Sequence, residues 1–399
     1  MRIAYITPSP VPSPFANSTQ VAMMTAAFSA EGHRVLLCAP RGRDSSGASR
    51  EDVATLYGVD EDFSFSQLTN GLGGWSFPVG ALRESRRFGC ELVYTRCLKT
   101  AFIASLAGTR FVLELHGPIR GRGARVYFAA IVRSRSLDRL VVISDALRRL
   151  VLSEHPGLTC EIRVAHDGVH ERFRQLPLDS SAAKRRLGLH ADRLVVGYAG
   201  SLYPGRGIEK ILDLASRFPA VTFLIVGGTA AEIEHWKRSL TGALPNIVFT
   251  GFVPSAEVAA HVEASDILLM PYGRVITILG KGNSAGWCSP LKMFEYLGSG
   301  RPIIASDLPV LREVLQPNQN AVLCDPDNIG LWDAALKSLI EDGERRKRIG
   351  ARGRADAGDY TWRERARRVL NPAGAAIPGR AQDSTTTATL QEASATCAE

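Results

Sequence analysis

The stretch that decides the fold is CSPLKMFEYLGSGRPIIASD, residues 288–307. It predicts a short helix followed by a buried strand, with Ser289 as the N-cap, Pro290 as the first helical residue and PIIAS in the strand. Within this otherwise apolar helix, Glu295 follows Lys292 by one turn. Charged side chains are seldom buried without a partner. A carboxylate near the electropositive start of a helix that opens toward a sheet edge therefore needs a functional explanation.

Apolar strands and helices alternate along most of the chain. The strand candidates are RIAYIT, RVLLCA, LVYT, FVLELH and RLVVIS in the first half, and RLVVGYAGS, TFLIVGG, IVFTGF, DILLMPY and PIIASD in the second. Continuous apolar strands between helices are typical of parallel sheets covered on both faces. We predict an α/β protein of two Rossmann-like parallel-sheet domains. They should face each other across a cleft where ligands bind at the carboxyl ends of the strands.

Composition shifts along the chain suggest its divisions. The predicted parts are an N-terminal domain at 1–175, a linker at 176–192, a C-terminal domain at 193–345, a helix at 346–370 that crosses back to the N-terminal domain, and a disordered tail at 371–399. The tail is predicted to be disordered because it is poor in large apolar side chains. Two irregular, glycine-rich runs, WSFPVG and residues 274–287, are predicted to be loops.

The bulk composition is that of a cytoplasmic globular protein. No apolar run approaches the roughly 20 residues that span a bilayer, and MRIAYIT starts directly on a strand without the pattern of a signal peptide. Seven cysteines are scattered without CxxC pairs. This arrangement argues against a disulfide framework and favours a reducing compartment.

Positive charge is concentrated in one segment. The chain carries a formal net charge of +8, and residues 81–149 hold fourteen Lys and Arg against five Asp and Glu. Such a segment can attract an anionic membrane, a phosphorylated acceptor or nucleic acid, or it can be a solvated face of an arginine-rich protein. No pattern of stacking aromatics supports nucleic acid. We expect no nucleic-acid partner and keep peripheral association with an anionic membrane as a hypothesis.

Several familiar cofactor and metal motifs are missing or incomplete. No GxGxxG follows the first strand, which argues against a nicotinamide or flavin cofactor. GKGNS is not a phosphate loop, because Val275 stands where its first glycine is needed. His166 and His170 are separated by a glycine in HDGVH, which disfavours zinc, and the acids of DED and DPD suit capping as well as metal binding. We predict no cofactor and no metal.

Two loops carry positive signals. In GYAGSLYPGRGIEK a strand runs into a turn and then a helix, and the Arg206 guanidinium could bind two oxygens of a diphosphate. A generic strand-to-helix turn explains the same pattern. In ELHGP, His116 emerges just past a strand end, where a ligand would lie, although a single histidine is more often structural.

Motifs along nearly the whole chain point to one family. They are PFANSTQV, LELHGP and HDGV in the N-terminal half, and YAGSLYPGRGIEKIL, FLIVGG, FTGFVP, LLMPY, SPLKMFEYLGSGRPIIASDLPVLREVL and YTW in the remainder. In order and spacing they resemble the retaining glycosyltransferase family 4, whose members have the GT-B fold. The resemblance extends from residue 1 to about 370 and is strongest at 196–315. It implies a nucleotide diphosphate sugar as the donor substrate.

The resemblance also implies roles for residues. Glu295 would accept hydrogen bonds from the ribose hydroxyls, for which an acceptor-only carboxylate is suited. Arg206 would neutralise the diphosphate, and His116 would lie near the reacting sugar; these three are the predicted catalytic residues. The predicted donor-site residues are Gly200, Ser201, Arg206, Lys210, Gly227, Gly251, Phe252, Ser289, Pro290, Leu291, Lys292 and Glu295. The acceptor-side residues are Asn17, Ser18 and His116.

Two positions depart from the family pattern. Trp287 stands where many members carry a sugar-binding glutamate, and Ser201 stands where they carry an arginine. We predict a metal-independent, retaining transferase that moves a sugar to a hydroxyl acceptor in polysaccharide, glycolipid or metabolite synthesis. The alternatives are a non-catalytic protein that binds a nucleotide sugar, or a GT-B epimerase.

Overall fold

Two parallel β-sheets organise the chain in the computed structural model, which describes residues 1–42, 47–71, 74–240, 242, 244–277 and 283–371. The first sheet contains β1 (Arg2–Ile6), β2 (Arg34–Pro40), β3 (Ser64–Leu68), β4 (Leu92–Thr95), β5 (Phe111–Leu115), β6 (Leu137–Val142) and β7 (Ile162–Val164). The second contains β8 (Val195–Ala199), β9 (Thr222–Val226), β10 (Ile247–Gly251), β11 (Ile267–Met270), β12 (Ile303–Ser306) and β13 (Val322–Cys324). The predicted α/β class with two parallel sheets is confirmed.

Helices connect the strands. Those of the first half are α1 (Ala16–Ala30), α2 (Arg50–Tyr57), α3 (Ser76–Phe88), α4 (Leu98–Leu106), α5 (Arg122–Arg133), α6 (Asp145–Glu154) and α7 (Glu171–Arg174). Those of the second half are α8 (Ser181–Arg186), α9 (Ile208–Arg217), α10 (Ala230–Arg238), α11 (Val258–Glu263), α12 (Leu291–Ser299), α13 (Ile329–Glu341), α14 (Gly343–Asp356) and α15 (Trp362–Leu370). Two 3₁₀ turns lie at Leu311–Glu313 and Ala357–Tyr360.

The order of strands fixes where a ligand can bind. The sheets run β3-β2-β1-β4-β5-β6-β7 and β10-β9-β8-β11-β12-β13. In each sheet the chain adds strands first on one side of its first strand and then on the other, so the order switches between β1 and β4 and between β8 and β11. Connections leave opposite faces of the sheet at such a point, so a crevice opens at the carboxyl ends of the strands. The loops that follow β1 and β8 therefore lie at the two crevices.

Apolar burial explains why the strands are continuous hydrophobic runs. All five residues of β8 and of β9 are buried, because helices cover both faces of the second sheet. One side of that sheet packs around Phe294 and Tyr296 of α12, and the other around Trp332 of α13. A separate core around Phe111 and Phe128 fills one side of the first sheet.

Three local predictions were wrong. WSFPVG is not a loop, because α3 begins at Ser76; Pro78 is tolerated there since the first turn of a helix leaves its N–H groups unbonded. The helix after Cys288 begins at Leu291 with Pro290 as its N-cap, and the Ser289 hydroxyl instead accepts a hydrogen bond from the Asp167 backbone N–H at 2.9 Å. The short strand β3 was missed because SFSQL alternates polar residues and lacks an apolar run.

The end of the described chain also differs from the predicted helix at 346–370. In its place α14 ends at Asp356 and α15 begins at Trp362, with a 3₁₀ turn between them. The Thr361 hydroxyl accepts from the Glu364 N–H at 3.1 Å, and this cap starts a new helix. The predicted disorder of the tail concerns residues beyond 371, which lie outside the described part.

None of the helices in the described ranges combines the length and the apolar composition that a bilayer crossing needs.

Candidate active site

Three predicted glycines meet where the neighbouring strands β8, β9 and β10 end. The N–H of Gly200 bonds to the carbonyl of Val226 at 2.8 Å, and that of Gly227 bonds to the carbonyl of Gly251 at 2.9 Å. A Cβ at Gly227, whose φ is +116°, would lie only 2.3 Å from the Gly200 carbonyl oxygen. Only glycine fits this approach of backbone to backbone. The strand ends thus form a close-packed floor for the loop after β8.

Two cations lie over that floor against tyrosine rings. The Lys292 Nζ is 3.8 Å from the centre of the Tyr198 ring and 5.5 Å from that of Tyr272. The guanidinium carbon of Arg206 is 5.0 Å from the centre of the Tyr272 ring. A Cβ at Gly200 would come within 2.4 Å of the Lys292 Nζ, so this glycine makes room for the ammonium group. The loop after β8 and the start of α12 therefore bring both cations together.

Both cations have a buried nitrogen atom without a hydrogen-bond partner among the described residues. Within the described part of the chain, the buried atoms Lys292 Nζ and Arg206 Nε make no hydrogen bond. Burial lowers the pKa of Lys292 well below its usual range, and Arg206 lowers it further, while Glu295 opposes the change. Buried cations are normally paired. An arrangement with two cations and unsatisfied donors is suited to an anion such as a diphosphate.

Glu295 lies one turn along α12 from Lys292 and lines a small gap between the domains. Thr19 of α1, Arg172 of α7 and Ser255 line the same gap. Burial raises the pKa of Glu295 to about 7, and Arg172 and Lys292 oppose the rise. The carboxylate is poised for hydrogen bonds because no side chain within the described residues bonds to it. The Lys292 charge links it electrostatically to the cation pair.

The remaining donor-side predictions fall into two groups. Phe252 is 54% exposed and, with Gly251, lines an open pocket of about 540 Å³ between α10 and β10. Ser201 adjoins the cations, since its carbonyl accepts from the Tyr198 hydroxyl at 2.7 Å. Lys210 points elsewhere, because its Nζ lies 5.7 Å from the centre of the Trp332 ring.

Leu291 and Pro290 lie at the start of α12, next to the glycine floor and the gap between domains. Leu291 lines the same gap as Glu295. Pro290 is the N-cap of α12 and leaves the first N–H groups of the helix without side-chain caps. Such free N–H groups at a helix start favour an anion.

On the N-terminal side, His116 adjoins a buried ionic cluster. Its imidazole is 24% exposed, and its Nε2 forms a short contact with Glu114 Oε1. Glu114 lies in β5 with its side chain fully buried and accepts from Arg365 Nη2 of α15 at 2.8 Å and from Gln20 Nε2 at 3.0 Å. Burial lowers the pKa of His116 to about 4, and Arg96 adds to the effect while Glu114 opposes it. His116 is therefore uncharged at neutral pH.

Two of the three residues predicted on the acceptor side, Asn17 and Ser18, mainly hold the first loop. The Ser18 hydroxyl is buried and donates to the Pro10 carbonyl at 2.7 Å. Asn17 is exposed, and its amide donates to the Ser9 hydroxyl at 2.8 Å. Their positions in the first turn of α1 explain these bonds, since side chains there satisfy nearby backbone and loop groups.

Trp287 bridges the domains. Its indole packs against the core of the first sheet, and its carbonyl accepts from the Ser144 hydroxyl at 2.9 Å. A Cβ at Gly117 would lie 3.3 Å from the Trp287 Nε1, so the indole lies directly on the turn that carries His116. The aromatic ring thus forms a wall of the cleft at the position where the family pattern has a carboxylate.

Comparison with known proteins decides the family. Residues 18–173 match the family described as Glycosyltransferase Family 4, and residues 179–356 match Glycosyl transferases group 1. The chain belongs to glycosyltransferase family 4. The two matches divide the chain between its two sheets and together cover most of it. The resemblance seen in the motifs is confirmed.

Solved structures share the GT-B fold of this glycosyltransferase. Anabaena HepE in complex with UDP superposes with a TM-score of 0.71 at 18% identity, covering 92% of this chain and 98% of that one. Sucrose-phosphate synthase from Thermosynechococcus elongatus gives 0.70 at 17% identity, covering 92% and 96%. The predicted GT-B fold is confirmed.

Curated relatives match more locally. A D-inositol 3-phosphate glycosyltransferase of Stackebrandtia nassauensis is 26% identical over 220 residues, which are 51% of this chain and 47% of that protein. TuaH of Bacillus subtilis, which its name assigns provisionally to teichuronic acid biosynthesis as a glycosyltransferase, is 26% identical over 235 residues, 57% of each chain. The aligned segments thus span about half the length of these relatives.

Sequence reasoning missed the ionic cluster around His116. A signal existed for Glu114, because an acid inside the buried run FVLELH breaks an apolar strand. Nothing distinguished Arg365 from the neighbouring arginines of RERARRVL. Its partner is 251 residues away in sequence, and only the folded chain brings the two together.

Proposed function

We propose that this protein is a retaining glycosyltransferase that moves a sugar from a nucleotide diphosphate sugar to a hydroxyl acceptor. The observation that carries the proposal is the pair of cations, Arg206 and Lys292, in which the buried atoms Arg206 Nε and Lys292 Nζ make no hydrogen bond within the described residues. The leaving nucleoside diphosphate is the anion that would complete the pair. Family membership supports the same substrate class.

The chemistry follows from charge. As the bond between sugar and phosphate breaks, negative charge accumulates on the diphosphate. Cations and helix N–H groups that already point at this place stabilise that charge without reorganising. We propose that Arg206, Lys292 and the start of α12 perform this task without a metal ion or a further cofactor. Glu295 would bind the ribose hydroxyls, and the released phosphate oxygen would help deprotonate the acceptor on the same face of the sugar.

The base and the acceptor are proposed at the level of chemical class. HepE has been crystallised with UDP and with UDP-glucose, so uracil is the first base to test. The pocket bordered by Gly251 and the exposed ring of Phe252 is the proposed base site. The acceptor is a hydroxyl compound of polysaccharide, glycolipid or metabolite type.

A donor panel tests the proposal. Purified protein is mixed with UDP-, GDP- and ADP-sugars and a pool of hydroxyl acceptors, and release of nucleoside diphosphate is measured. We expect one donor to turn over and the product to keep the anomeric configuration of the donor by NMR. Arg206→Gln and Glu295→Gln should each lower kcat/KM about 100-fold, as loss of a group that stabilises the transition state does. Arg217→Gln, which removes an exposed arginine paired with Asp213, is the matched control.

Trp287 is the observation that supports a non-catalytic alternative. An indole replaces a hydrogen-bonding carboxylate at the cleft wall, so donor binding without transfer is the second candidate function. Tight binding of a nucleotide sugar in a thermal-shift assay, with no release of diphosphate to any acceptor, would favour it. Conversion of the donor to its epimer would indicate the epimerase.

We further propose that the exposed side of α5 holds the enzyme at the inner surface of an anionic membrane. Arg122, Arg125 and Arg133 are exposed on this helix, and Val126 between them is 65% exposed. Residues 116–137 contain no Asp or Glu. Basic side chains around an exposed apolar residue suit anionic headgroups above acyl chains.

Vesicle sedimentation tests the membrane proposal. The protein should bind vesicles containing phosphatidylglycerol and not pure phosphatidylcholine vesicles, and Arg122→Gln with Arg125→Gln should reduce binding at least fivefold, at about 1 kcal/mol per basic residue. Arg217→Gln with Arg238→Gln on the other domain is the control. Equal binding of all variants, or preferential binding of polynucleotide, would contradict it.

A further inference from the structure

The cluster behind His116 contains more charge than packing requires. The Arg365–Glu114 ion pair has side-chain exposures of 1% and 0%. Arg365 Nε donates to the His166 carbonyl at 2.9 Å, and its Nη2 donates to the Ala165 carbonyl at 3.2 Å as well as to Glu114. Replacing a buried ion pair by apolar residues is often neutral or stabilising, so such a pair calls for a role other than stability.

The hydrogen bonds of Glu114 fix its carboxylate, and the carboxylate in turn fixes the orientation of the His116 ring. Glu114 Oε2 accepts from the Tyr94 hydroxyl, and Oε1 accepts from Gln20 and Arg365, so the carboxylate cannot rotate. The same Oε1 contacts His116 Nε2. Because a carboxylate only accepts hydrogen bonds, Nε2 must carry the proton of the neutral ring. Nδ1 is then the ring nitrogen with a free lone pair.

We propose that Glu114 and Arg365 are positioning residues that keep His116 uncharged, with Nε2 protonated and Nδ1 available as a hydrogen-bond acceptor for a hydroxyl of the reacting sugar. The part that concerns the sugar rests on the proposed function. The part that concerns the imidazole stands on the geometry alone. In the sequence, Glu114 stands out only as an acid inside an apolar strand, and nothing marks Arg365.

Arg365 decides the charge of the ring. Glu114 has one negative charge, and Arg365 already neutralises it through a 2.8 Å bond. Without Arg365, the nearest group able to acquire a compensating charge is His116, which is in contact with the same oxygen. A neighbouring carboxylate favours the protonated imidazole. Loss of Arg365 should therefore create a charged His116 in the neutral range.

Other charged and titratable groups face the cluster and are part of its balance. They are Tyr5 of β1, Tyr94 of β4, Arg96 after β4, and Asp167 after β7. Arg96 disfavours a charged His116, whereas the carboxyl of Asp167 lies 3.9 Å from Arg365 Nε and pairs with it. Arg96 is bonded to Gln20 at 2.8 Å and not to Glu114. It therefore does not replace Arg365 as the partner of the acid.

The first test needs only the natural protein. Protein labelled with ¹⁵N-histidine is studied by NMR between pH 5.5 and 8.5, and His116→Asn assigns the resonances. We expect His116 to show a protonated Nε2, an unprotonated Nδ1 and no titration in this range. A protonated Nδ1, or titration near the ordinary pKa of about 6.5, would overturn the proposal.

Variants then separate positioning from packing. In Arg365→Gln, His116 should titrate within the range, and kcat/KM at pH 6 should fall at least fivefold relative to pH 8, while the natural enzyme shows no such acid limb from this group. Arg365→Gln combined with Glu114→Gln removes both charges and should abolish the titration and the acid limb. Lys184→Gln is the matched control, since it removes a 4% exposed cation paired with Asp266 in the other domain. It should lower the melting temperature without creating an acid limb.

The outcomes distinguish the two parts of the inference. If His116 does not titrate in a folded Arg365→Gln variant, the positioning role is wrong. If it titrates and turnover is equally fast at pH 6 and pH 8, Arg365 sets the charge of His116 but the sugar contact is wrong. If no donor turns over in the natural protein, the proposed function fails, and the NMR result still decides the positioning role.

Discussion

An ammonium group enclosed by protein, with no hydrogen-bond partner, destabilises the folded state in which it lies. Lys292 is in this position within the described residues, between the Tyr198 ring and Arg206. Its pKa lies well below the usual range, which means that folding disfavours its charged form. A group retained at such a cost is typical of a binding site.

The first prediction concerns Lys292→Met. Methionine fills a similar volume without the charge, so the ligand-free protein should melt about 1–3 °C higher. The same change should remove most of the rise in melting temperature that UDP produces and lower kcat/KM about 100-fold. Calorimetry with and without UDP measures both effects. Lys337→Met, which removes an exposed lysine of α13, is the control. A ligand-free variant that melts lower, with an unchanged response to UDP, would contradict a diphosphate role.

At the scale of residues, the sequence predicts what backbone geometry dictates. Gly200, Gly227 and Gly251 could be predicted because each lies at the end of a strand or directly after it, where close approach selects glycine. Side-chain partners could not be predicted in the same way. Lys210 and Arg206 are four residues apart in sequence. Their spacing does not predict that Lys210 lies against Trp332 while Arg206 lies against Tyr272.

At the scale of elements, one acid of the second domain binds a helix of the first. Glu313, in the 3₁₀ turn after β12, accepts from the N–H groups of Asp145 and Ala146 at 2.7 Å each. These groups start α6, so the carboxylate lies at the positive end of that helix. Its Oε2 also lies 2.8 Å from His166 Nε2. The contact links the two domains.

The second prediction is that Glu313→Ala loosens the cleft. Burial opposes ionisation of Glu313, but the bonds from His166, Asp145 and Ala146 lower its pKa below the ordinary value. A lowered acid pKa means that the contact is fully formed above the ordinary pKa and is lost as pH falls through the lowered value. The variant should melt several degrees lower and show a larger radius of gyration by small-angle X-ray scattering. Acidification should reproduce this expansion in the natural protein only.

The control for this contact is another helix cap. Asp342 accepts from the Arg345 N–H at 2.8 Å and starts α14 within one domain. Asp342→Ala should cost about 1 kcal/mol of stability, as loss of an N-cap does, without changing the radius of gyration. Equal radii for both variants would show that Glu313 acts as a cap and not as a link between domains.

Prediction of elements from sequence succeeded where packing is uniform. The strands covered on both faces, β8 and β9, are continuous apolar runs and were identified. The start of α3 was not, because WSFPVG contains glycine and proline, and only the core contacts of Phe77 and Leu82 favour a helix there. The break between α14 and α15 was also missed, because both sides have high helix propensity. The position of the turn is set by where each helix packs.

At the scale of the whole molecule, three separate segments meet at Asp167. This residue follows β7, its backbone N–H bonds to Ser289 of the second domain, and its carboxyl lies 3.9 Å from Arg365 of α15. Within the described residues, its Oδ1 atom is buried without a hydrogen bond. Family resemblance supplied the two-domain fold from the sequence. It did not supply this junction, because the three segments are far apart along the chain.

The third prediction is a dependence of stability on pH that originates at this junction. Burial raises the pKa of Asp167 to about 7; Arg365 opposes the rise and Glu114 adds to it. The unfolded chain ionises this group near pH 4, so between about pH 4 and 7 the unfolded state loses a proton that the folded state keeps. Stability from this group is therefore present at low pH and is lost as pH rises toward 7. Asp167→Asn should raise the melting temperature by about 2 °C or more at pH 8 and change it little at pH 5.

Scanning calorimetry from pH 5 to pH 8 measures the difference between Asp167→Asn and the natural protein. Glu295, whose pKa is likewise raised to about 7 by burial, acts in the same direction, so the slope should diminish in the variant and not vanish. Asp213→Asn, at an exposed ion pair, should leave the slope unchanged. A stabilisation by Asp167→Asn of equal size at both pH values would mean that the ionised form of Asp167 is not what the junction disfavours. It would also mean that Glu114 alone carries the negative charge beside Arg365. The asparagine would then stabilise the folded state only through its added hydrogen bonds.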